Sequence, residues 1–134
     1  MPARHPERIV CLTEETTETL YLLGEERRIA GISGYTVRPP RARREKPRVS
    51  AFLSAKNGRI LARRPDLVIG FSDLQADIAR DLAKAGLNVL LFNQRSVDEI
   101  LSMILTLASL VGASAKGERL VAEAYVEAVL ARGH

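Results

Sequence analysis

The chain has 134 residues, enough for one domain, and a chain of this size buries about two-thirds of its unfolded surface. Hydrophobic residues make up 46% and charged residues 27%, as in ordinary globular proteins, so the composition gives no sign of disorder. No apolar run reaches the roughly 18–20 residues that a membrane span needs, and a single cysteine excludes an internal disulfide.

The first predicted unit is a strand that runs directly into a helix. Four apolar residues at 9–12 predict a buried strand, and the apolar positions that follow recur at helical spacing as far as Gly24. The polar run Thr13–Thr17 lies between them. A strand that feeds a helix places its turn at the carboxyl edge of a sheet, where open α/β folds bind ligands.

Strand and helix signals then alternate along the chain. Strands are predicted at 29–32, 49–53, 67–71 and 89–92, and helices at 54–64, 74–85 and 97–111. Ser96 opens the last of these helices with a capping box. The proline-rich stretch at 35–48 predicts an irregular loop. This alternation predicts an α/β fold, a parallel Rossmann-like sheet with helices on both faces.

A final helix is predicted from Ser114 to about Arg132. We therefore divide the chain into an α/β ligand-binding lobe at 1–112 and a terminal helix at 113–134. This helix could dock on the sheet through its apolar side, or it could lead into a second domain. The sequence pattern leaves both arrangements open.

The residue types do not indicate an enzyme. His5 and His134 lie at opposite ends of the chain, and Cys11 belongs to an apolar strand, so no nucleophile and base are paired. Metal-ligand spacings and the glycine patterns that cradle phosphates are missing from the sequence. We expect no catalytic residue, no metal site and no intrinsic cofactor.

Two charged segments are open to more than one interpretation. The acids of Thr13–Glu18 could compensate a helix dipole, or they could line a ligand edge that suits amide donors better than a bare phosphate. The segment Arg38–Arg64 has ten Lys or Arg against one acid, Glu45. Because it carries one aromatic and no nucleic-acid-binding motif, we favour a solvated rim over nucleic-acid binding, with an acidic partner or ligand as a further option.

An ordered series of segments resembles the amino-terminal lobe of a cobalamin-binding protein. In order, the segments are RIVCLTEETTETLYLLG, GISGYTVRPP, RVSAF, ILARRPDLVIGFS, AGLNVLLFN, and SVDEI followed by LASLVG. Such proteins belong to the substrate-binding proteins of ABC transporters for cobalamin, haem and iron–siderophore complexes. The resemblance implies one lobe of a two-lobe fold, with the ligand between the lobes and residues 114–132 as the helix that joins them.

The resemblance also implies which residues bind the ligand. Aromatic side chains match positions that line the cobalamin cleft, and the turn after the first strand matches the first cleft loop. The predicted ligand-binding residues are Tyr35, Phe52, Phe71, Thr13, Glu14, Glu15 and Thr16. A flat, largely apolar macrocycle with an amide rim needs rigid aromatic faces and a few polar groups, which agrees with this set.

Two departures from the family bear on partners. Gly58 stands where cobalamin-binding proteins carry a glutamate that docks on transporter arginines, so half of a docking salt bridge is missing for an ABC permease. Glu14 and Glu15 add negative charge to the cleft loop and place an anionic ferric siderophore lower among the ligands. The family is periplasmic, whereas a true start at Met1 would mean a cytoplasmic protein, because the chain begins without a signal peptide.

The sequence thus predicts a non-enzymatic substrate-binding lobe for cobalamin or a related metal chelate in ABC-type uptake, with haem or a siderophore complex as other ligands. The rival hypothesis is a structural or regulatory interaction module without a ligand. A homodimer, through the cleft face or through the apolar side of the final helix, is compatible with both. Nucleic-acid binding by the basic rim is a weaker third hypothesis.

Overall fold

A computed structural model describes residues 5–50, 57–72 and 75–132. Its sheet contains β1 (Ile9–Cys11), β2 (Ile29–Ser33), β3 (Arg48–Ser50), β4 (Leu67–Phe71) and β5 (Val89–Phe92). The helices are α1 (Glu14–Leu22), α2 (Ala42–Glu45), α3 (Asn57–Ala62), α4 (Ala76–Lys84), α5 (Val97–Leu110) and α6 (Ser114–Arg132), with a 3-10 turn at Glu26–Arg28.

The five strands are parallel and follow the order β3-β2-β1-β4-β5. β1 lies at the centre, where Cys11 is in register with Ile32 on one side and Ile69 on the other. The chain builds outward from β1 to β3 and then crosses to β4 and β5 on the opposite side. The predicted parallel α/β fold is therefore confirmed.

Two hydrophobic cores cover the two faces of the sheet. Alternate residues of a strand point to opposite faces, so Ile9 and Cys11 join one core and Val10 and Leu12 join the other. The first core also takes side chains from α1, α2 and α5, and the second takes them from α3 and α4. Helices thus lie on both faces, as predicted. Each fully buried aliphatic side chain contributes roughly 1.5–3 kcal/mol to the free energy of folding.

Local signals end the helices where the sequence predicts. Helices α1, α4 and α5 are followed by Gly24, Gly86 and Gly112, which have φ angles of +72°, +94° and +73°. After α4 the amide of Gly86 donates to the Ala83 carbonyl (3.0 Å) and the next amide donates to Leu82, which satisfies carbonyls that the helix leaves free. The Ser96 hydroxyl caps α5 by accepting from the Glu99 amide.

The predicted irregular loop at 35–48 contains a short helix, α2, so that prediction was wrong for residues 42–45. Its prolines flank the helical turn and do not interrupt it, and the fully buried Ala42 anchors the turn in the first core. The predicted helix at 54–64 ends at Ala62 in the structure, and Arg64, which precedes Pro65, has a φ of +49°. This left-handed residue lies just past α3, and its amide donates to the Leu61 carbonyl (3.0 Å).

The final helix packs closely against α5. A Cβ added at Gly117 would lie only 2.4 Å from the Cβ of Ala108, so the absence of a side chain permits this approach. Lys116 Nζ donates to the Leu23 carbonyl after α1 (3.3 Å). Within the described ranges, no helix combines the length and apolar character that crossing a membrane requires. The division of the chain at residue 112 stays a prediction.

Candidate ligand-binding site

The strand order opens a crevice between β1 and β4. These strands are neighbours in the sheet, but α1 follows β1 onto the first core and α4 follows β4 onto the second. The two connections therefore diverge at the carboxyl ends of the strands. Open α/β sheets bind ligands at such a topological switch point.

A cavity of about 440 Å³ lies at this edge of the sheet. Its lining combines two aromatic rings with hydroxyls, carboxylates and one guanidinium: Thr13, Glu14, Glu15, Ser33, Tyr35, Arg38 and Phe71. We call this cavity the cleft. Its residues come from the turn after β1 and the first turn of α1, from the ends of β2 and β4, and from the loop after β2.

The turn after β1 is built by threonines that cap α1. Thr13 is extended (φ −135°), and its Oγ1 accepts from the Thr16 amide at 3.5 Å. The Thr16 hydroxyl lies 2.9 Å from Thr13 Oγ1 and is within reach of the Thr13 carbonyl (3.2 Å). Only 1% of Thr16 is exposed, so Thr16 supports the turn from beneath and does not line the cleft.

The two glutamates of the cleft have different partners. Glu14 Oε2 accepts from the Val37 amide at 2.8 Å, and Arg38 Nε lies 3.4 Å from the other carboxylate oxygen. Arg38 also reaches Glu18 (3.2 Å), so one cation serves two acids. Glu15 Oε2 accepts from Gln94 Nε2 at 2.7 Å, and no cation pairs with Glu15 among the described residues. The glutamate side of the cleft is thus net negative.

The two aromatic rings differ in how firmly they are held. Tyr35 is 67% exposed, while its backbone amide is fixed on Ser33 Oγ (3.2 Å). Phe71 is half-buried, and the guanidinium carbon of Arg95 lies 5.5 Å from the centre of its ring. The Phe71 amide donates to Oε1 of the buried Gln75 at 2.8 Å.

The residue after Phe71 has an unusual backbone. Ser72 is buried and has a φ of +59°, a conformation that costs a non-glycine residue of order 1 kcal/mol or more and persists only where its surroundings hold it. Its amide donates to the Phe92 carbonyl (2.6 Å) and its hydroxyl accepts from Arg95 Nη2 (2.6 Å). These contacts hold the end of β4 at the mouth of the cleft.

A smaller cavity of about 190 Å³ adjoins the cleft at the end of β5. Gln94 lines this cavity, and its bond to Glu15 links the two. Gln94 Oε1 is buried and accepts no hydrogen bond from the described residues. Among all the residues that the structure describes, no three His, Cys, Asp or Glu side chains lie close enough together to hold a metal ion.

The structure brings most of the predicted ligand-binding residues together. Thr13, Glu14, Glu15, Tyr35 and Phe71 line one cavity, Thr16 lies below it, and Phe52 lies outside the described residues. Ser33 and Arg38 also line the cleft but were not predicted from the sequence. Ser33 ends a predicted strand, so its position at the carboxyl edge could have revealed it. No local pattern marks Arg38, because its place depends on ion pairs to α1.

The position expected to meet a transporter is open. A Cβ added at Gly58 would have no atom within 4 Å, so the first turn of α3 has room for a larger side chain there.

The profile of the family described as "Periplasmic binding protein" matches residues 9–132. This match covers nearly the whole chain. The chain belongs to the periplasmic binding protein family.

Solved structures of periplasmic binding proteins share the fold of this family member. A periplasmic haem-binding protein from Roseiflexus sp. RS-1 is 27% identical, with a TM-score of 0.85 over 95% of this chain and 49% of that one. A periplasmic vitamin B12 binding protein from Vibrio cholerae is 25% identical, with a TM-score of 0.79 over 88% and 46%. A periplasmic haem-binding protein from Pseudomonas aeruginosa, at 22% identity, has a TM-score of 0.82 over 90% and 43%.

This family member spans less than half the length of each of these three structures. A comparison with curated protein sequences gives no match. Proteins named for haem and for vitamin B12 are thus both similar to the chain, so the similarity supports the family and does not choose between these ligands.

Proposed function

We propose that this chain is a ligand-binding lobe for a flat metal chelate, with cobalamin as the preferred ligand, in ABC-type uptake. The observation that carries the proposal is the cleft itself, in which Tyr35 and Phe71 stand beside Glu14 and Glu15 at the switch point of the sheet. Aromatic faces suit a flat macrocycle, and a few polar groups fix its orientation.

The charges of the cleft favour cobalamin over haem and over an anionic siderophore complex. The amide groups at the corrin rim offer N–H donors to carboxylates, whereas the carboxylates of haem would face Glu15, which has no cationic partner among the described residues. Like charges brought together repel, so the carboxylates of haem are disfavoured beside Glu15. Arg38 is the cleft's cation, and Glu14 and Glu18 already share it.

One lobe supplies one side of a cleft. We propose that a second surface closes it, either the second lobe of a longer protein or a second copy of this chain. Light scattering with and without ligand distinguishes these arrangements, since a second copy doubles the mass in solution. An ABC permease is the proposed delivery partner, with a docking contact weakened by the absence of an acid at Gly58.

The proposal is tested by following the visible absorbance of cyanocobalamin and of haem as the protein is added. We expect a saturable shift with cyanocobalamin and a weaker one with haem. Tyr35→Ala should weaken binding about fivefold or more, because stacking on an aromatic face is worth about 1 kcal/mol or more. Tyr35 is largely exposed, so its removal should leave the fold intact.

Val37→Ala is the matched control. Val37 lies in the same loop and is 51% exposed, but its side chain does not line the cleft. It should bind as the unaltered protein does. A protein that shifts neither spectrum would instead support the interaction module without a ligand, and equal losses in both variants would refute the role given to Tyr35.

A further inference from the structure

A basic cavity lies at the opposite end of the strands from the cleft. It has a volume of about 180 Å³ and is lined by Pro47, Arg48, Val49, Arg59, Ala62 and Arg63. Arg48 begins β3, and Arg63 follows the end of α3, so this cavity lies at the amino end of the edge strand. We call it the arginine pocket.

The fold holds the arginine pocket in place from beneath. Val49 and Ile60 are buried in the second core and fix β3 and α3 against each other. A Cβ added at Gly31 would lie 3.5 Å from Arg63 Cγ, so the stem of Arg63 packs over β2. The Arg63 carbonyl accepts from Arg8 Nε at 2.8 Å, which ties the end of α3 to the start of β1.

The three arginines have no acidic partner within the described ranges. Five other arginines form salt bridges there: Arg27, Arg28, Arg38, Arg41 and Arg80. Asp66 lies nearby in the chain, but its carboxylate accepts the amides of Glu7 (2.8 Å) and Arg8 (3.0 Å). The undescribed segment at 51–56 has no Asp or Glu in its sequence.

Arg59 lies in α3, Arg63 lies just past its end, and Arg48 begins β3, and all three line the same cavity. Positive charges that line one cavity repel each other, and a bound anion offsets this repulsion. Guanidinium groups match phosphate geometry with paired N–H donors and remain charged at all relevant pH values.

We propose that the arginine pocket binds a phosphate group, as free phosphate, as a phosphate monoester or as the headgroup of an anionic lipid. Its function is separate from that of the cleft, because the two sites lie at opposite ends of the strands. The proposal does not depend on the ligand of the cleft.

The first test is calorimetric titration of the protein with inorganic phosphate at constant ionic strength. We expect saturable binding of one phosphate per chain, reduced at least about tenfold by Arg59→Gln or Arg63→Gln, because a charge-assisted hydrogen bond is lost. The matched control is Arg119→Gln. Arg119 is exposed on α6 and forms no ion pair among the described residues, so this variant loses the same charge elsewhere.

Sedimentation with phosphatidylglycerol vesicles, against phosphatidylcholine vesicles, distinguishes a lipid headgroup from free phosphate. A lipid site requires binding that Arg59→Gln abolishes and Arg119→Gln retains. Equal losses in all three variants, binding that does not saturate, or binding only to long polyanions would overturn the proposal, since each indicates diffuse charge. Arg59 is exposed, and an unchanged circular dichroism spectrum of its variant excludes loss of the fold.

Discussion

The side chains of the cleft are supported to different degrees by their own neighbours. Phe71 is held through its amide by Gln75 and across its ring by Arg95, so its face is fixed before a ligand binds. Tyr35 has a fixed backbone and an exposed ring. If the cleft binds a macrocycle as proposed, the Tyr35 ring can adjust to the ligand while Phe71 stays in place, and Tyr35 then loses rotamer freedom on binding.

Cys11 provides a test of the core at the residue scale. Burial at the centre of the sheet raises the pKa of its thiol to about 12 from 9.0, against smaller opposing effects of hydrogen bonds with Thr16 and Thr17. The unfolded thiol ionises first as the pH rises, so the free energy of unfolding should fall by about 1 kcal/mol between pH 9 and pH 10 on account of Cys11. Denaturant unfolding at several pH values measures this fall.

Cys11→Ala should lower stability at neutral pH but should remove this part of the pH dependence. The comparison ends near pH 10 because ionisation of Tyr21 also lowers the free energy of unfolding at higher pH. Burial raises the pKa of Tyr21, and its hydrogen bond to Glu45 raises it further. A variant with the same loss of stability between pH 9 and pH 10 as the parent would contradict the assignment to Cys11.

The residues of the cleft were predictable where strand ends or family resemblance mark them. Thr13 follows a predicted strand, Phe71 ends one, and Tyr35 lies in a segment that resembles cobalamin-binding proteins. The position of Arg38 was not predictable, because it is brought to the cleft by ion pairs to Glu14 and Glu18, which lie twenty or more residues earlier in the chain. Long-range pairing leaves no local periodic signal.

At the scale of elements, the alternation of strands and helices was predictable because buried strands are continuous apolar runs and capping residues mark the helix ends. The helix α2 was missed for a physical reason. Prolines exclude a helix interior only at and just before their own positions, and the residues between Pro40 and Pro47 are free to form a turn that buries Ala42. The approach of α6 to α5 was also unpredictable, because a lone glycine in a helical pattern is normally only a weakness.

The contact between α5 and α6 gives a prediction at this scale. Gly117→Ala should destabilise the protein by about 1–3 kcal/mol through overpacking against Ala108, partly offset by the roughly 1 kcal/mol gain in helix propensity. Adding Ala108→Gly should restore the packing, so the two changes together should cost less than the sum of each alone. Urea unfolding of the single and double variants measures this coupling.

Gly58→Ala is the matched control, since an added Cβ at Gly58 meets no atom within 4 Å. It should keep or slightly raise stability. If Gly117→Ala proved as stable as Gly58→Ala, or if the two changes at the α5–α6 contact were simply additive, the close approach of these helices would be refuted.

At the scale of the whole molecule, the sheet separates two chemically different edges. The carboxyl edge carries the aromatic rings and glutamates of the cleft, and the amino edge of β3 and α3 carries arginines without acidic partners among the described residues. The net charge of +4 gives no sign that acidic and basic side chains are separated in this way. We propose a macrocycle with amide groups as the ligand of the first edge and a phosphate as the ligand of the second.

The cleft is tested most directly by mapping amide chemical shifts by NMR as cyanocobalamin is added to isotopically labelled protein. We expect saturable shifts at Thr13–Glu15, at Ser33–Tyr35 and at Phe71, with the amides around Arg48 and Arg59 unchanged. Shifts that are absent at saturating ligand, or that are confined to the arginine pocket, would contradict a ligand site at the carboxyl edge of the sheet.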